Sequence, residues 1–235
     1  MSYAGAYDGQ FYAARRERTL PSARRILGIV RNFVPFGSVA DFGCGTGTWL
    51  AVALQDFGAE KAIGFEGEWM RPEWLDDPRI EFHPHNLEQP ADPGPVDLAI
   101  SLEVAEHVSA QRAQSFVADL CRAAPVVLFG AAIPGQGGFG HVNEQWQSYW
   151  SALFAAQGYT CFDAVRPAVW NDKGLPYWYR QNTFLYSKTP LDAPRPSVLD
   201  VVHPDKWDEE RGVSLSTRLR HAARWKLRNL IGRAG

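Results

Sequence analysis

Acidic residues and glycines follow several short apolar runs of this chain, in patterns suited to ligand binding. In SVADFGCGTGTWL, Asp41 is followed by glycines at positions 43, 45 and 47. Glycine is needed where the backbone turns sharply or a ligand approaches closely, and the amides that begin a following helix would face that ligand. Thr48 stands where the GxGxxG dinucleotide pattern has its third glycine, which argues against a pyrophosphate ligand.

Two further acids lie at the ends of later apolar runs. Glu66 follows KAIGF, where a carboxylate can accept hydrogen bonds from both hydroxyls of a ribose. Leu102 and Glu103 end PVDLAISLE. Ligands in open α/β sheets bind outside the carboxyl ends of the strands, so we expect these residues to face one ligand.

This order of motifs resembles the class I S-adenosylmethionine-dependent methyltransferases, from about Ser38 to Ser187. Their first motif is an acid, one apolar residue and GxGxG, and PVDLAISLEVAEHV is similar to their fourth motif. After the third strand, Asn86 and Leu87 lie where the family contacts the adenine. The resemblance implies a set of S-adenosylmethionine-binding residues: Asp41, Gly43, Gly45, Gly47, Glu66, Asn86, Leu87, Leu102 and Glu103.

The sequence LEVAEH spaces three potential metal ligands so that they would share one face of a helix beginning at Glu103. The same ExxEH pattern occurs in metal-dependent quinol O-methyltransferases and small-RNA 2′-O-methyltransferases, and in the latter a histidine after the fifth strand completes the site. By that resemblance, Mg²⁺ or Mn²⁺ would be held by Glu103, Glu106, His107 and His141. Alternatively, Glu106 and His107 only orient the loop after the fourth strand, because related enzymes carry EHV without a demonstrated metal.

The long glycine-rich segment AAIPGQGGFGHVNEQWQSYW brings His141 towards the same edge of the sheet. An imidazole titrates near neutral pH, so His141 is also a candidate general base for removing a hydroxyl proton. The alternative is a residue at the start of a helix that hydrogen-bonds only locally.

The acceptor is expected to be a hydroxyl group of a small molecule or sugar. WNDKGLPYWYRQN, predicted as a loop, mixes four aromatic residues with Asn171, Arg180, Gln181 and Asn182, which suits stacking and hydrogen bonding to a sugar. Packing of the last hairpin is the alternative role for the aromatics. An RNA-modifying enzyme would need a basic face, which the net charge of -2 does not indicate. A module that binds S-adenosylmethionine without catalysis also remains open.

Helical and β-type runs alternate along the chain, which predicts parallel strands with crossover helices. With the resemblance, they indicate a doubly wound, Rossmann-like α/β fold whose seven-stranded sheet has its last strand, NTFLYS, antiparallel. The first helix is predicted over 20–33. We expect an N-terminal helical cover over 1–37, the S-adenosylmethionine-binding methyltransferase domain over 38–188, a proline-rich linker over 189–213 and a basic amphipathic helix over 214–235.

The C-terminal helix could bind the core, an anionic membrane surface or a protein partner. Three cysteines without CxxC spacing suit a reducing compartment. The chain also lacks an apolar segment long enough to be a membrane span. A cytoplasmic location is therefore expected.

Overall fold

The computed structural model describes residues 9–206, with side chains from Arg16 onwards. One seven-stranded sheet has the order β3-β2-β1-β4-β5-β7-β6. The strands are β1 (Ser38–Phe42), β2 (Lys61–Glu66), β3 (Glu81–Pro84), β4 (Leu98–Leu102), β5 (Val126–Gly130), β6 (Thr160–Phe162) and β7 (Phe184–Ser187). The α-helices are α1 (Gly9–Arg31), α2 (Thr48–Asp56), α3 (Ala113–Ala123), α4 (Gln147–Ala156), α5 (Arg166–Val169) and α6 (Tyr177–Asn182). Short 3₁₀ helices span Pro72–Trp74 and Ala105–His107.

Strands β1 to β5 are parallel to one another, whereas β7 runs antiparallel to both β5 and β6. Every residue of β4 and β5 is buried, as expected for strands covered by helices on both faces. The predicted doubly wound fold with an antiparallel last strand is confirmed.

Helix α1 begins eleven residues before the predicted position at Leu20, and it continues through Pro21. Proline has no N–H to donate within a helix, so the helix lacks one backbone hydrogen bond at Pro21. The hydroxyl of the next residue, Ser22, adds a hydrogen bond to the carbonyl of Arg18 at 2.9 Å. Ile26 and Leu27 are fully buried. Burial of this apolar face stabilises the helix beyond its proline.

The predicted loop from Trp170 to Asn182 contains helix α6, so this prediction is wrong. Tyr177 and Tyr179 are buried, and the buried Arg180 guanidinium donates to the carbonyls of Leu175 and Trp170. These aromatic rings and this cation belong to the core. They do not form an open platform for a sugar.

The segment predicted as a linker is irregular but packed from Thr189 to Val201, within the same compact unit as the sheet. The carbonyls of Val198 and Leu199 accept hydrogen bonds from Arg166. The carboxylate of Asp200 accepts hydrogen bonds from the amide and hydroxyl of Ser148 in the first turn of α4. This part of the segment therefore makes specific hydrogen bonds to α4 and α5.

A second unit begins at Val202, of which 202–206 are described. In it, the Lys206 amide donates to the carbonyl of His203. The predicted basic helix over 214–235 lies outside the described residues. Across 9–206, none of the helices has the length and apolar character needed to cross a membrane.

Asp97, directly before β4, fixes the start of β1. Its Oδ2 accepts hydrogen bonds from the amides of Gly37 and Ser38 and from the Ser38 hydroxyl, each at 2.8 Å. The Gly37 amide, the Ser38 hydroxyl and the Ser38 amide lower the pKa of Asp97, although burial opposes them.

We expect Asp97→Asn to lower the free energy of unfolding at pH 7 by about 0.5 to 1 kcal/mol, a small value because the carboxyl is exposed. The folded-state pKa lies below the unfolded value, so the stabilisation is complete above about pH 4 and is lost as the pH falls through the folded-state pKa. Urea titrations at several pH values, with Asp92→Asn as a surface control, measure this. A difference that persists unchanged at pH 3 would contradict it.

Candidate functional site

The glycine-rich loop after β1 is fixed against β2, because the amides of Gly43 and Cys44 both donate to the carbonyl of Phe65 at 2.8 and 3.0 Å. Gly43 has φ +93°, and a Cβ there would lie 2.4 Å from a methyl group of Val104. Gly47, directly before α2, has φ +75°. Only glycine fits this turn without moving the chain after β4.

Two acids of the predicted cofactor set border this loop. Asp41 is 2% exposed, and its Oδ2 has no hydrogen-bond partner among the described residues. Burial, and then the charge of Glu66, raise the pKa of Asp41 well above its usual value. The Glu66 oxygens accept from the amides of Gly45 and Gly67, each at 2.9 Å. The structure therefore places both acids at the cradle formed by the glycines.

Asn86 and Leu87 lie in the turn after β3. The side-chain oxygen of Asn86 accepts from the amide of Glu88 at 3.0 Å, which closes a local turn. Leu87 packs partly buried against the core on the α3 side of the sheet, and its carbonyl accepts from Arg112. Both residues therefore have structural contacts in the turn where the sequence predicts an adenine contact.

Glu103 adopts a left-handed conformation with φ 57° directly after β4. No α-helix begins there, and the helical turn of this loop is the 3₁₀ helix Ala105–His107. The two carboxylate oxygens of Glu103 accept hydrogen bonds from the side-chain amide of Gln136, at 2.6 Å, and from that of Asn182, at 2.9 Å. The prediction that Glu103 shares a helix face with Glu106 and His107 is wrong, and Glu103 lies outside the metal-type cluster described next.

The other three predicted metal ligands come together. Glu106, His107 and His141 each offer one ligand atom, and these atoms lie within 4.8 Å of one another. Glu106 is 1% exposed, and its Oε1 lies 3.8 Å from Nε2 of His141. The imidazoles of His107 and His141 meet edge to face, with ring centres 4.8 Å apart. A carboxylate and two imidazoles therefore converge at the carboxyl end of β4.

Backbone contacts position His141 in this cluster. The amides of Val142 and Asn143 both donate to the carbonyl of Glu106, at 2.9 and 3.0 Å. The backbone of Gly138 lies against the imidazole, so that a Cβ on Gly138 would be 2.2 Å from Nε2 of His141. The long segment between β5 and α4 is thus attached to the loop after β4.

Glu144 is a site residue that the sequence analysis missed. Its Oε1 accepts from Nδ1 of His141, at 2.8 Å, and from the amide of Gly137, at 2.7 Å, and its Oε2 accepts from the amide of Gly135. Burial would raise the pKa of Glu144, but these hydrogen bonds outweigh burial and lower it. The spacing of an acid three residues after His141 was the available signal.

The sequence family of this chain is known from comparison with other proteins. A sequence family described as a methyltransferase domain matches residues 12–164. The chain belongs to this methyltransferase family. The comparison with curated proteins gives no match for this methyltransferase.

Solved structures share the fold of the methyltransferase at low sequence identity. Streptomyces venezuelae DesVI has a TM-score of 0.56 at 18% identity, over 80% of this chain and 99% of that one. An O-methyltransferase family protein from Burkholderia thailandensis has a TM-score of 0.54 at 13%, over 80% of this chain and 59% of that one. Human N-acetylserotonin methyltransferase has a TM-score of 0.54 at 16%, over 77% of this chain and 56% of that one. The chain therefore spans less than three fifths of the latter two.

The predicted identity as a class I S-adenosylmethionine-dependent methyltransferase is confirmed by the family match and the fold.

In this methyltransferase, Glu144 selects the tautomer of His141. A carboxylate accepts but cannot donate, so neutral His141 carries its proton on Nδ1 and leaves a lone pair on Nε2. That lone pair is on the nitrogen nearer to Glu106.

We expect long-range ¹H–¹⁵N spectra above pH 8 to show neutral His141 of the methyltransferase as the Nδ1–H tautomer. Glu144→Ala should shift His141 towards the Nε2–H tautomer, because the acceptor at Nδ1 is lost. Glu60→Ala, which removes an exposed carboxylate elsewhere, should leave the signal unchanged. Finding mainly the Nε2–H tautomer in the unmodified protein would show that the Glu144 contact does not set it.

Proposed function

We propose that this methyltransferase methylates a hydroxyl of a small molecule, and that the acceptor reaches the cluster of Glu106, His107 and His141. The observation that carries this proposal is the convergence of three ligand atoms within 4.8 Å of one another. Two of these residues follow Val104, which lies against Gly43 of the glycine cradle. Methyl transfer to oxygen needs the acceptor held in line and help with its proton, and positioning supplies most of the acceleration.

The glycine cradle fits S-adenosylmethionine, which supplies an activated methyl group on a sulfonium when it is bound. The buried Oδ2 of Asp41 lacks a partner among the described residues and would accept a hydrogen bond from the cationic amino group. That cation would offset the burial that raises the pKa of Asp41. Glu66, at the end of β2, would accept hydrogen bonds from the ribose hydroxyls.

The cluster fits a divalent ion held by one carboxylate and two imidazoles. The sequence predicts two carboxylates and two imidazoles as ligands. Because Glu103 lies outside the cluster, one carboxylate and two imidazoles remain. Mg²⁺ prefers oxygen ligands and Mn²⁺ accepts imidazole more readily, so Mn²⁺ suits the set better. Such an ion would supply a positive charge that lowers the pKa of an acceptor hydroxyl. Glu106, His107 and His141 would hold it and leave positions for two adjacent acceptor oxygens.

A general-base role for His141 is the alternative at the same place. With its proton on Nδ1 held by Glu144, its Nε2 can accept the proton of an acceptor hydroxyl directly. As a base it would need no ion. The two roles use the same nitrogen and are mutually exclusive, which makes them separable by experiment.

We expect Glu66→Ala to weaken binding of S-adenosylhomocysteine about tenfold or more, because hydrogen bonds to a charged group contribute about 1.5 to 3 kcal/mol. Calorimetry measures this, with Glu60→Ala as the control. Circular dichroism checks that the variant is folded, since Glu66 also accepts from two backbone amides. Unchanged affinity in a folded variant would remove Glu66 from the cofactor site.

We expect EDTA to abolish methyl transfer and Mn²⁺ to restore it. Ala substitutions of Glu106, His107 or His141 should each weaken Mn²⁺ binding, measured by electron paramagnetic resonance, far more than they weaken binding of S-adenosylhomocysteine. Glu103→Gln is the matched control, because Glu103 lies outside the cluster, and its Mn²⁺ affinity should be unchanged. Full activity of a metal-free preparation, together with loss of rate in His141→Ala alone, would instead establish His141 as the general base.

A further inference from the structure

Large exposed apolar side chains are concentrated on the segment that carries His141. Within residues 16–206, four large apolar side chains are exposed: Phe139 (49%), Val142 (64%), Trp146 (40%) and Val198 (57%). Three of them lie on the segment between β5 and α4 that carries His141. Single exposed apolar residues are ordinary, but several together beside polar groups mark a binding surface.

The backbone holds these three residues in place. Gly138 lies against the His141 imidazole, so Phe139 begins next to that ring. The amide of Val142 donates to the carbonyl of Glu106, and the amide of Gln145, directly before Trp146, donates to the carbonyl of Ala132. These side chains therefore remain exposed on a segment whose main chain is attached at several points.

Of the four polar residues that the sequence predicts to bind a sugar, Arg180, Gln181 and Asn182 are in the interior, and Asn171 is exposed. Gln181 and Asn182 are at most 2% exposed, and Asn182 donates to Glu103 and Gln136. The Arg180 guanidinium donates hydrogen bonds to the backbone carbonyls of Leu175 and Trp170. Hydroxyls on the far side of a polyol would find mainly apolar neighbours in Phe139, Val142 and Trp146.

We propose that the acceptor carries an apolar ring or alkyl chain next to its reacting hydroxyl, and that Phe139, Val142 and Trp146 bind this apolar part. The proposal rests on the proposed function for the position of the hydroxyl at the Glu106, His107 and His141 cluster. It assigns substrate selectivity to the segment between β5 and α4. A small amphipathic diol or phenol fits this surface, whereas a polyol leaves it in water.

The test compares three probes by calorimetry on the full chain with S-adenosylhomocysteine and Mn²⁺. Catechol, 4-butylcatechol and myo-inositol share adjacent hydroxyls and differ in apolar surface. We expect 4-butylcatechol to bind about tenfold or more tightly than catechol, because its alkyl chain is removed from water. Myo-inositol should bind more weakly than catechol. Equal affinities for the two catechols, or tightest binding of myo-inositol, would overturn the proposal.

Variants locate the apolar contact. The double substitution of Val142→Ser with Trp146→Ser should reduce the advantage of 4-butylcatechol over catechol several-fold. Val198→Ser, which changes the exposed apolar residue of the 189–201 segment, should leave that advantage intact. If the advantage is unchanged in the double variant, or falls equally in Val198→Ser, the assignment to this surface is wrong.

An EDTA arm separates this proposal from the proposed function. If the cluster binds no metal ion, EDTA leaves the affinity for catechol unchanged. Tighter binding of 4-butylcatechol than of catechol that depends on Val142 and Trp146 would still support the apolar surface. If instead EDTA abolishes catechol binding and the butyl group adds nothing, the cluster receives support and the apolar surface is rejected.

Discussion

The parallel alignment of β1, β2 and β4 is the constraint on which the rest of the structure depends. Asp41 pairs with Gly64 on one side and with Ile100 on the other, so three strands end at one edge of the sheet. The loops that follow them must then share a small volume. The side chain of Val104 lies where a Cβ on Gly43 would be, which shows how closely the loops after β1 and β4 approach.

The sequence is sufficient to predict the sheet and the glycine cradle because both depend on local composition. Buried parallel strands appear as continuous apolar runs, and a glycine loop between a strand and a helix has few alternatives. The approach of Glu106, His107 and His141 could also be predicted, because each follows a strand that ends at the same edge. The start of helix α1 was predicted eleven residues too late, because the stretch before Leu20 is polar and charged and gives no apolar pattern.

The remaining details depend on contacts between distant residues. The left-handed conformation of Glu103 is held by Gln136 and Asn182, which are 33 and 79 positions away. Spacing alone suggested a helix face that this conformation removes. The aromatic residues near Tyr179 suggested an open platform, but Tyr179 packs against Trp49 of α2 and lies in the core. Polar residues beside aromatic ones do not reveal from composition whether they face water.

The segment between β5 and α4 is attached at both of its ends and at its centre. The amide of Gln145 donates to the carbonyl of Ala132 near the sheet, and the amide of Val142 donates to the carbonyl of Glu106. In the first turn of α4, Ser148 donates to the carboxylate of Asp200. Since these attachments at Ala132, Val142 and Gln145 use main-chain atoms, they do not depend on which side chains occupy the positions between them. Substitutions at the exposed positions 139, 142 and 146 therefore leave these attachments in place, whereas Glu144 and Gln136 hold the segment through their side chains. Outward side chains of this segment are thus exchangeable on a main chain whose course is fixed, and the glycine loop after β1 need not change with them.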